Sequence, residues 1–106
     1  PMTRGMLTTL HLSGESVNSW HGILSAAFAD EPFVQLLPEG KLPSTAAVKG
    51  SNRCAIGIAV LGAQQAVIVS CIDNLIKGAA GQAVQNMNLM NGFAETAGLL
   101  GAPFFP

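Results

Sequence analysis

The residues with the most chemical promise lie in one stretch, DNLIKGAAGQAVQNMN, residues 73–88. Advanced at about 100° per residue, this stretch forms a helix with opposed faces. Ile76, Ala80, Ala83, Met87 and Met90 fall on one stripe, which is predicted to be the core side. Lys77, Gly78, Gly81, Gln85 and Asn88 gather on the other side. A glycine inside a helix costs roughly 1 kcal/mol relative to alanine. Glycines at i and i+3 therefore imply that something approaches the backbone closely there. Asn and Gln side chains can read a carboxamide or a ribose hydroxyl. Such a face suits a flat ligand, a tightly packed neighbouring domain, or both.

Cys54, Cys71, His11 and His21 are the remaining candidates for nucleophilic or metal chemistry. Both cysteines sit in alternating apolar segments, which predicts two reduced, buried thiols. Nothing in the spacing supports a disulfide between neighbouring strands. The histidines show no metal-ligand spacing with the cysteines, so no metal site is predicted. GAAG at residues 78–81 opens a helix but follows no strand of the kind that a phosphate-binding G-x-G-x-x-G turn requires.

These residues need a scaffold. Residues 6–12 (MLTTLHL) are predicted as a strand, broken at Ser13-Gly14. Ser16 is placed to cap a helix with its side-chain oxygen. Val17, Trp20, Ile23, Leu24, Ala27 and Phe28 follow at helical spacing, up to about Asp30 ahead of Pro32. Residues 33–37 form a short strand, and residues 38–52 a long loop of the kind that is often functional. Strands over 53–61 and 65–72 join through Gly62-Ala63-Gln64. Both are apolar on both faces, which predicts a sheet largely covered on both sides. A last helix spans residues 76–93, with Gly92 or Gly98 marking its end. The order β-α-β-β-β-α predicts an α+β fold, a mixed, mainly antiparallel sheet with helices packed on it, in a single domain over residues 1–106.

Composition narrows the function classes. The 106 residues are 49% hydrophobic and only 10% charged, with a net charge of −1. A self-contained soluble domain usually carries more surface charge, so part of this surface is expected to face another domain or subunit. Clustered Lys and Arg are absent, so no nucleic-acid partner is predicted. The longest apolar run, residues 54–63, is about half of what a membrane span needs. The chain begins at Pro1 rather than Met, which leads to the expectation of a processed, excised or truncated piece. It shows no signal-peptide pattern, and a cytoplasmic location is expected.

The strings PMTRGM, ADEPFV, LLPEG, LPSTAAVKGSNRC, IDNLIKGAAGQAVQNMN and ETAGL occur in that order and cover nearly the whole chain. Together they resemble the C-terminal, substrate-binding and dimerisation half of the N-acetyl-gamma-glutamyl-phosphate reductases, members of the semialdehyde dehydrogenase superfamily. The resemblance implies the C-terminal fold of the glyceraldehyde-3-phosphate and aspartate-semialdehyde dehydrogenases. It implies an NADP-dependent reduction of N-acetyl-glutamyl 5-phosphate to the 5-semialdehyde in arginine biosynthesis, through a cysteine thioester with a histidine as acid–base. No Pro-Gly-Cys segment occurs here, and neither His11 nor His21 matches the catalytic histidine. The resemblance thus implies no catalytic residue in this chain, and an activity that depends on a missing N-terminal Rossmann half holding most of the NADP.

Carried over residue by residue, the resemblance implies cofactor-side roles for Asn74, Lys77, Gly78, Gly81 and Gln85, with Asn74 and Gly78 near the nicotinamide. Arg4 of MTRG is implied as a holder of substrate carboxylate or phosphate, for which a guanidinium's paired donors are suited. Its alternative is an arginine at a domain edge. Ser51, Asn52 and Arg53 of GSNR line either a substrate pocket or, as favoured, a subunit interface. The implied partners are the Rossmann half, further copies of the chain in a homo-oligomer, and a small acyl phosphate. The alternative function is a non-catalytic oligomerisation or ligand-binding module of the same fold.

Overall fold

The computed structural model describes residues 2–104. Its elements run β1 (Met6–Ser13), α1 (Trp20–Ala27), β2 (Val34–Leu36), β3 (Cys54–Gly62), β4 (Gln65–Ile72) and α2 (Gly81–Met90). Short 3-10 turns lie at Val17–Ser19 and Thr45–Ala47, and a π turn at Ile76–Ala80 leads directly into α2. The strands form one sheet in the order β1-β4-β3-β2. β2 runs parallel to β3, and the other neighbours are antiparallel. The fold is the mixed α+β architecture that the element order predicts.

Alternation along β3 and β4 builds the two halves of the core. On one face Ile58 pairs with Ile68 and Val60 with Ala66. Val17 packs on Ile58 and Ala66, with Leu12 and Trp20 around them. Ile58 is 1% exposed, and full burial of such a side chain contributes about 1.5–3 kcal/mol. On the other face Ala55, Gly57 and Ala59 pair with Cys71, Val69 and Val67. Their small side chains leave a track for the loop that follows β2. A Cβ on Gly57 would run into the Lys41 carbonyl. Val48, Ala55 and Cys71 close this second cluster.

The sheet is less covered than its apolar strands imply. β3 and β4 are buried through their central residues, but β1 is exposed along most of its length. Met6, Leu7 and Leu10 are about half exposed, at 47%, 48% and 54%. An edge strand has only one neighbour, and β1 has β4 alone.

Ser16 does not cap a helix with its side chain. Its backbone sits at φ −107°, ψ 20°, outside the extended region that a capping serine adopts. Its carbonyl instead accepts hydrogen bonds from the Ser19 N–H at 3.0 Å and the Ser19 hydroxyl at 2.7 Å.

The core stripe predicted for α2 is inverted. Ala80, Ala83, Met87 and Met90 are exposed, while Gly81, Gln85 and Asn88 are buried. Polar groups of the same domain stand opposite that polar face, whereas the apolar one is left exposed among the described residues. The helix ends at Gly92, whose φ of 70° turns the chain and lets the Phe93 N–H reach the Asn88 carbonyl.

Candidate functional site

The site begins where β4 ends. Asp73 directly follows the last strand residue, and its side chain is fully buried. One carboxylate oxygen, Oδ1, accepts from the Leu75 N–H at 2.8 Å and the Ile76 N–H at 3.1 Å, which satisfies donors at the start of the following helical turn. The other, Oδ2, accepts from the Gly50 N–H at 2.6 Å and from Arg4 Nη2 at 2.8 Å. Burial pushes the Asp73 carboxyl up, but the hydrogen bonds from Gly50, Arg4, Leu75 and Ile76 outweigh it and hold its pKa at about 2.

Asn74 stands beside this pair. Its Oδ1 accepts from the Gly5 N–H at 2.7 Å, and the residue is exposed. Gly5 makes that contact possible with a φ of 112°, and a Cβ there would press on Thr45. The Phe104 ring lies under Arg4, 5.9 Å from the guanidinium carbon, and directly over Gly50. Gly78 is exposed on the same π turn, with only ordinary contacts where a side chain would stand. Departures from α geometry of this kind concentrate at functional sites.

The other expected residues form a separate, internal network. Lys77 Nζ donates to Gln85 Oε1 at 2.7 Å and lies 5.3 Å from the centre of the Phe33 ring. Burial pulls the Lys77 ammonium pKa down, opposed by Cys54, Glu95 and Glu31. Asn52 Nδ2 donates to the same Gln85 oxygen at 3.0 Å, and Gln85 Nε2 donates to Glu95 at 2.7 Å. Asn88 Nδ2 donates to the carbonyls of Glu95 and Ala97. A Cβ on Gly81 would meet Asn52 Oδ1, so this glycine admits a side chain of its own domain. Ser51 is buried and donates to the Val48 carbonyl at 2.7 Å. Arg53 is exposed. A hollow of about 270 Å³ runs past Gly50, Ser51, Asn52 and Gly81 to Leu99.

The structure thus brings Arg4, Asn74 and Gly78 to one surface and draws Lys77, Gly81, Gln85, Ser51 and Asn52 inward. The surface group sets the donors of Arg4 and Asn74 beside the bare backbone of Gly78, whose own N–H is taken by the Asp73 carbonyl at 3.0 Å; the two side chains are fitted to bind an anion or a carbonyl oxygen. It offers no proton relay near neutral pH, since Asp73 stays ionised. Burial also pushes the Cys54 and Cys71 thiols up, with Lys77 working against the rise at Cys54 and Cys54 adding to it at Cys71. Both cysteines are free. Cys54 pairs with Ile72 and Cys71 with Ala55, so adjacent register positions put the thiols on opposite faces of the sheet.

Sequence reasoning missed Asp73, Gly5, Gly50 and Phe104 as parts of this site. An Asp just ahead of a helical run is itself a capping signal, and that signal was available for Asp73. No local pattern tells that Phe104 folds back on residue 50.

Residues 1–74 match the family described as "Semialdehyde dehydrogenase, dimerisation domain". Over its whole length the chain is 54% identical to the N-acetyl-gamma-glutamyl-phosphate reductase of Geobacter metallireducens and covers 32% of that protein. It is 51% and 49% identical to the proteins of the same name from Paracoccus denitrificans and Rhodospirillum rubrum, covering 31% of each. The chain therefore spans about a third of the length of these relatives, in their C-terminal part.

Proposed function

This chain belongs to the semialdehyde dehydrogenase dimerisation domain family, and from that premise we propose that it is the substrate-holding and assembly part of an N-acetyl-gamma-glutamyl-phosphate reductase. In this reading the reduction of N-acetyl-glutamyl 5-phosphate to the 5-semialdehyde takes place in the cytoplasm, with NADP and the catalytic cysteine and histidine held by the two thirds of the relatives that lie outside this chain. The observation that carries the proposal is the corner formed by Arg4, Asp73 and Asn74. Arg4 is anchored on one side by Asp73 and 25% exposed, so it meets the anionic carboxylate or phosphate of the substrate. The NH2 of Asn74, which has no hydrogen-bond partner among the described residues, and the bare backbone at Gly78 face the nicotinamide. Lys77, Gly81 and Gln85 support that surface from within, and Ser51 and Asn52 hold the neighbouring turn. No proton moves through these residues; they bind and orient.

The exposed β1 supports the assembly role. Leu7 and Leu10 project from opposite faces of a strand with a free edge, and covering such a strand with a second copy removes both liabilities. The proposal is tested by mixing the chain with the N-terminal two thirds of the Geobacter metallireducens reductase. Phosphate-dependent reduction of NADP by the semialdehyde is the expected result. A well-formed complex without that activity would sink the proposal.

A further inference from the structure

We infer that Asp73 is a positioning residue, which fixes the Arg4 guanidinium for its anionic ligand by locking it to the Gly50 turn and the start of the π turn. The inference rests on the substrate-holding reading of Arg4.

Capping alone would require only half of this side chain. The Oδ1 atom accepts both helical N–H groups, from Leu75 and Ile76. The Oδ2 atom contributes nothing to the cap; it takes Gly50 N–H and Arg4 Nη2. A serine or asparagine suffices as a helix cap. A buried carboxylate, whose charge is far more expensive to desolvate, needs its cationic and N–H partners. Arg4 gains from the same arrangement. Its Nε is buried and has no hydrogen-bond partner among the described residues, so the inner edge of the fork is closed to ligand. Ligand is met by the part of the guanidinium that stays exposed, away from Nε. A guanidinium on a three-carbon stem holds that pose only when something takes one nitrogen and fixes its plane, and Asp73 with the Phe104 ring below does so. A pre-set donor saves the ligand the ordering of a long side chain.

The test uses a full-length chimaera, in which this chain replaces the C-terminal third of the Geobacter metallireducens reductase. Asp73→Ser keeps a capping hydroxyl but removes the arm that reaches Arg4 and Gly50. It is expected to raise about tenfold the KM for the semialdehyde or for phosphate, whichever anion Arg4 holds, with KM for NADP and kcat within about twofold. In an Arg4→Gln background the same change is expected to add nothing, because the residue it positions is gone. If Asp73→Ser fails to fold, Asp73→Glu carries the comparison, since it keeps the charge and displaces it by one methylene. The inference is overturned if the Asp73 variant leaves KM unchanged while Arg4→Gln raises it, or if the two effects multiply. An Arg4→Gln chimaera with KM unchanged for both the semialdehyde and phosphate would instead overturn the substrate reading of Arg4, and the positioning role with it.

Discussion

Asn52 and Gln85, 33 positions apart, meet side chain to side chain at 3.0 Å in the interior of the domain. Through this contact α2 buries its polar face and leaves Met87 and Met90 at 49% and 85% exposure. Gln85 is the hub, since its oxygen also accepts from Lys77 and its amide donates to Glu95. Replacing Gln85 with Leu strands three polar partners. An unpaired buried group costs about 1–3 kcal/mol, so Gln85→Leu is expected to lower stability by about 2–3 kcal/mol in urea unfolding. Asn52→Leu added to it is expected to cost less than the sum, because the two share one interaction.

The two glycines of the GAAG segment should respond oppositely to alanine. Gly81→Ala puts a methyl group into Asn52 Oδ1 and within 2.9 Å of the Ile76 carbonyl. Destabilisation is expected although alanine favours a helix by about 1 kcal/mol. At Gly78 a methyl group finds its nearest neighbour, Ile72 Cδ1, at 3.4 Å. Gly78→Ala is expected to leave the melting temperature unchanged or raised, while weakening NADP use in the assembled enzyme. A lowered melting temperature for Gly78→Ala, or an unchanged one for Gly81→Ala, would contradict this division.

Asp73 gives the fold a defined acid dependence. Its folded pKa of about 2 lies below the ordinary 3.8, so the unfolded chain takes up this proton first. The stabilisation is fully present above about pH 4 and disappears as the pH falls towards about 2. The gap between the urea midpoints of the chain and of Asp73→Asn should be smaller at about pH 3 than at about pH 6, because part of the stabilisation is already lost there. A constant gap between them would rule out this origin.

Neither thiol is placed to react. Both are held protonated by burial, and they project from opposite faces of the sheet. Iodoacetamide at neutral pH is expected to label the folded chain much more slowly than the urea-unfolded chain. Oxidation of the folded chain is expected to give no internal disulfide by mass spectrometry.

Leu7 and Leu10 test the assembly role without touching the core. Charged substitutions at such exposed positions usually change stability by about 0.5 kcal/mol or less. Leu7→Glu with Leu10→Lys is therefore expected to shift the sedimentation coefficient of the full-length chimaera to that of a smaller species, while its melting transition persists. An unaltered oligomer would place the interface elsewhere.

The periodicities in the sequence determined the elements. Alternating apolar residues mark β3 and β4, the 3.6-residue repeat marks the helical segments, and Gly92 or Gly98 marks the end of the last helix, a choice that the structure makes for Gly92. Their order determined the α+β class, and the sequence of family strings determined the relationship. The tertiary structure alone decided which face of α2 turns inward. A helix with apolar residues on one side and small or amide residues on the other can pack on either. The choice falls to what stands opposite, and Asn52 and Glu95 stand there. It also decided that Arg4, distant in the chain, meets Asp73, and that Phe104 closes over Gly50. Local spacing carries no information about such pairings, because they depend on how far each strand and turn carries the chain before it returns.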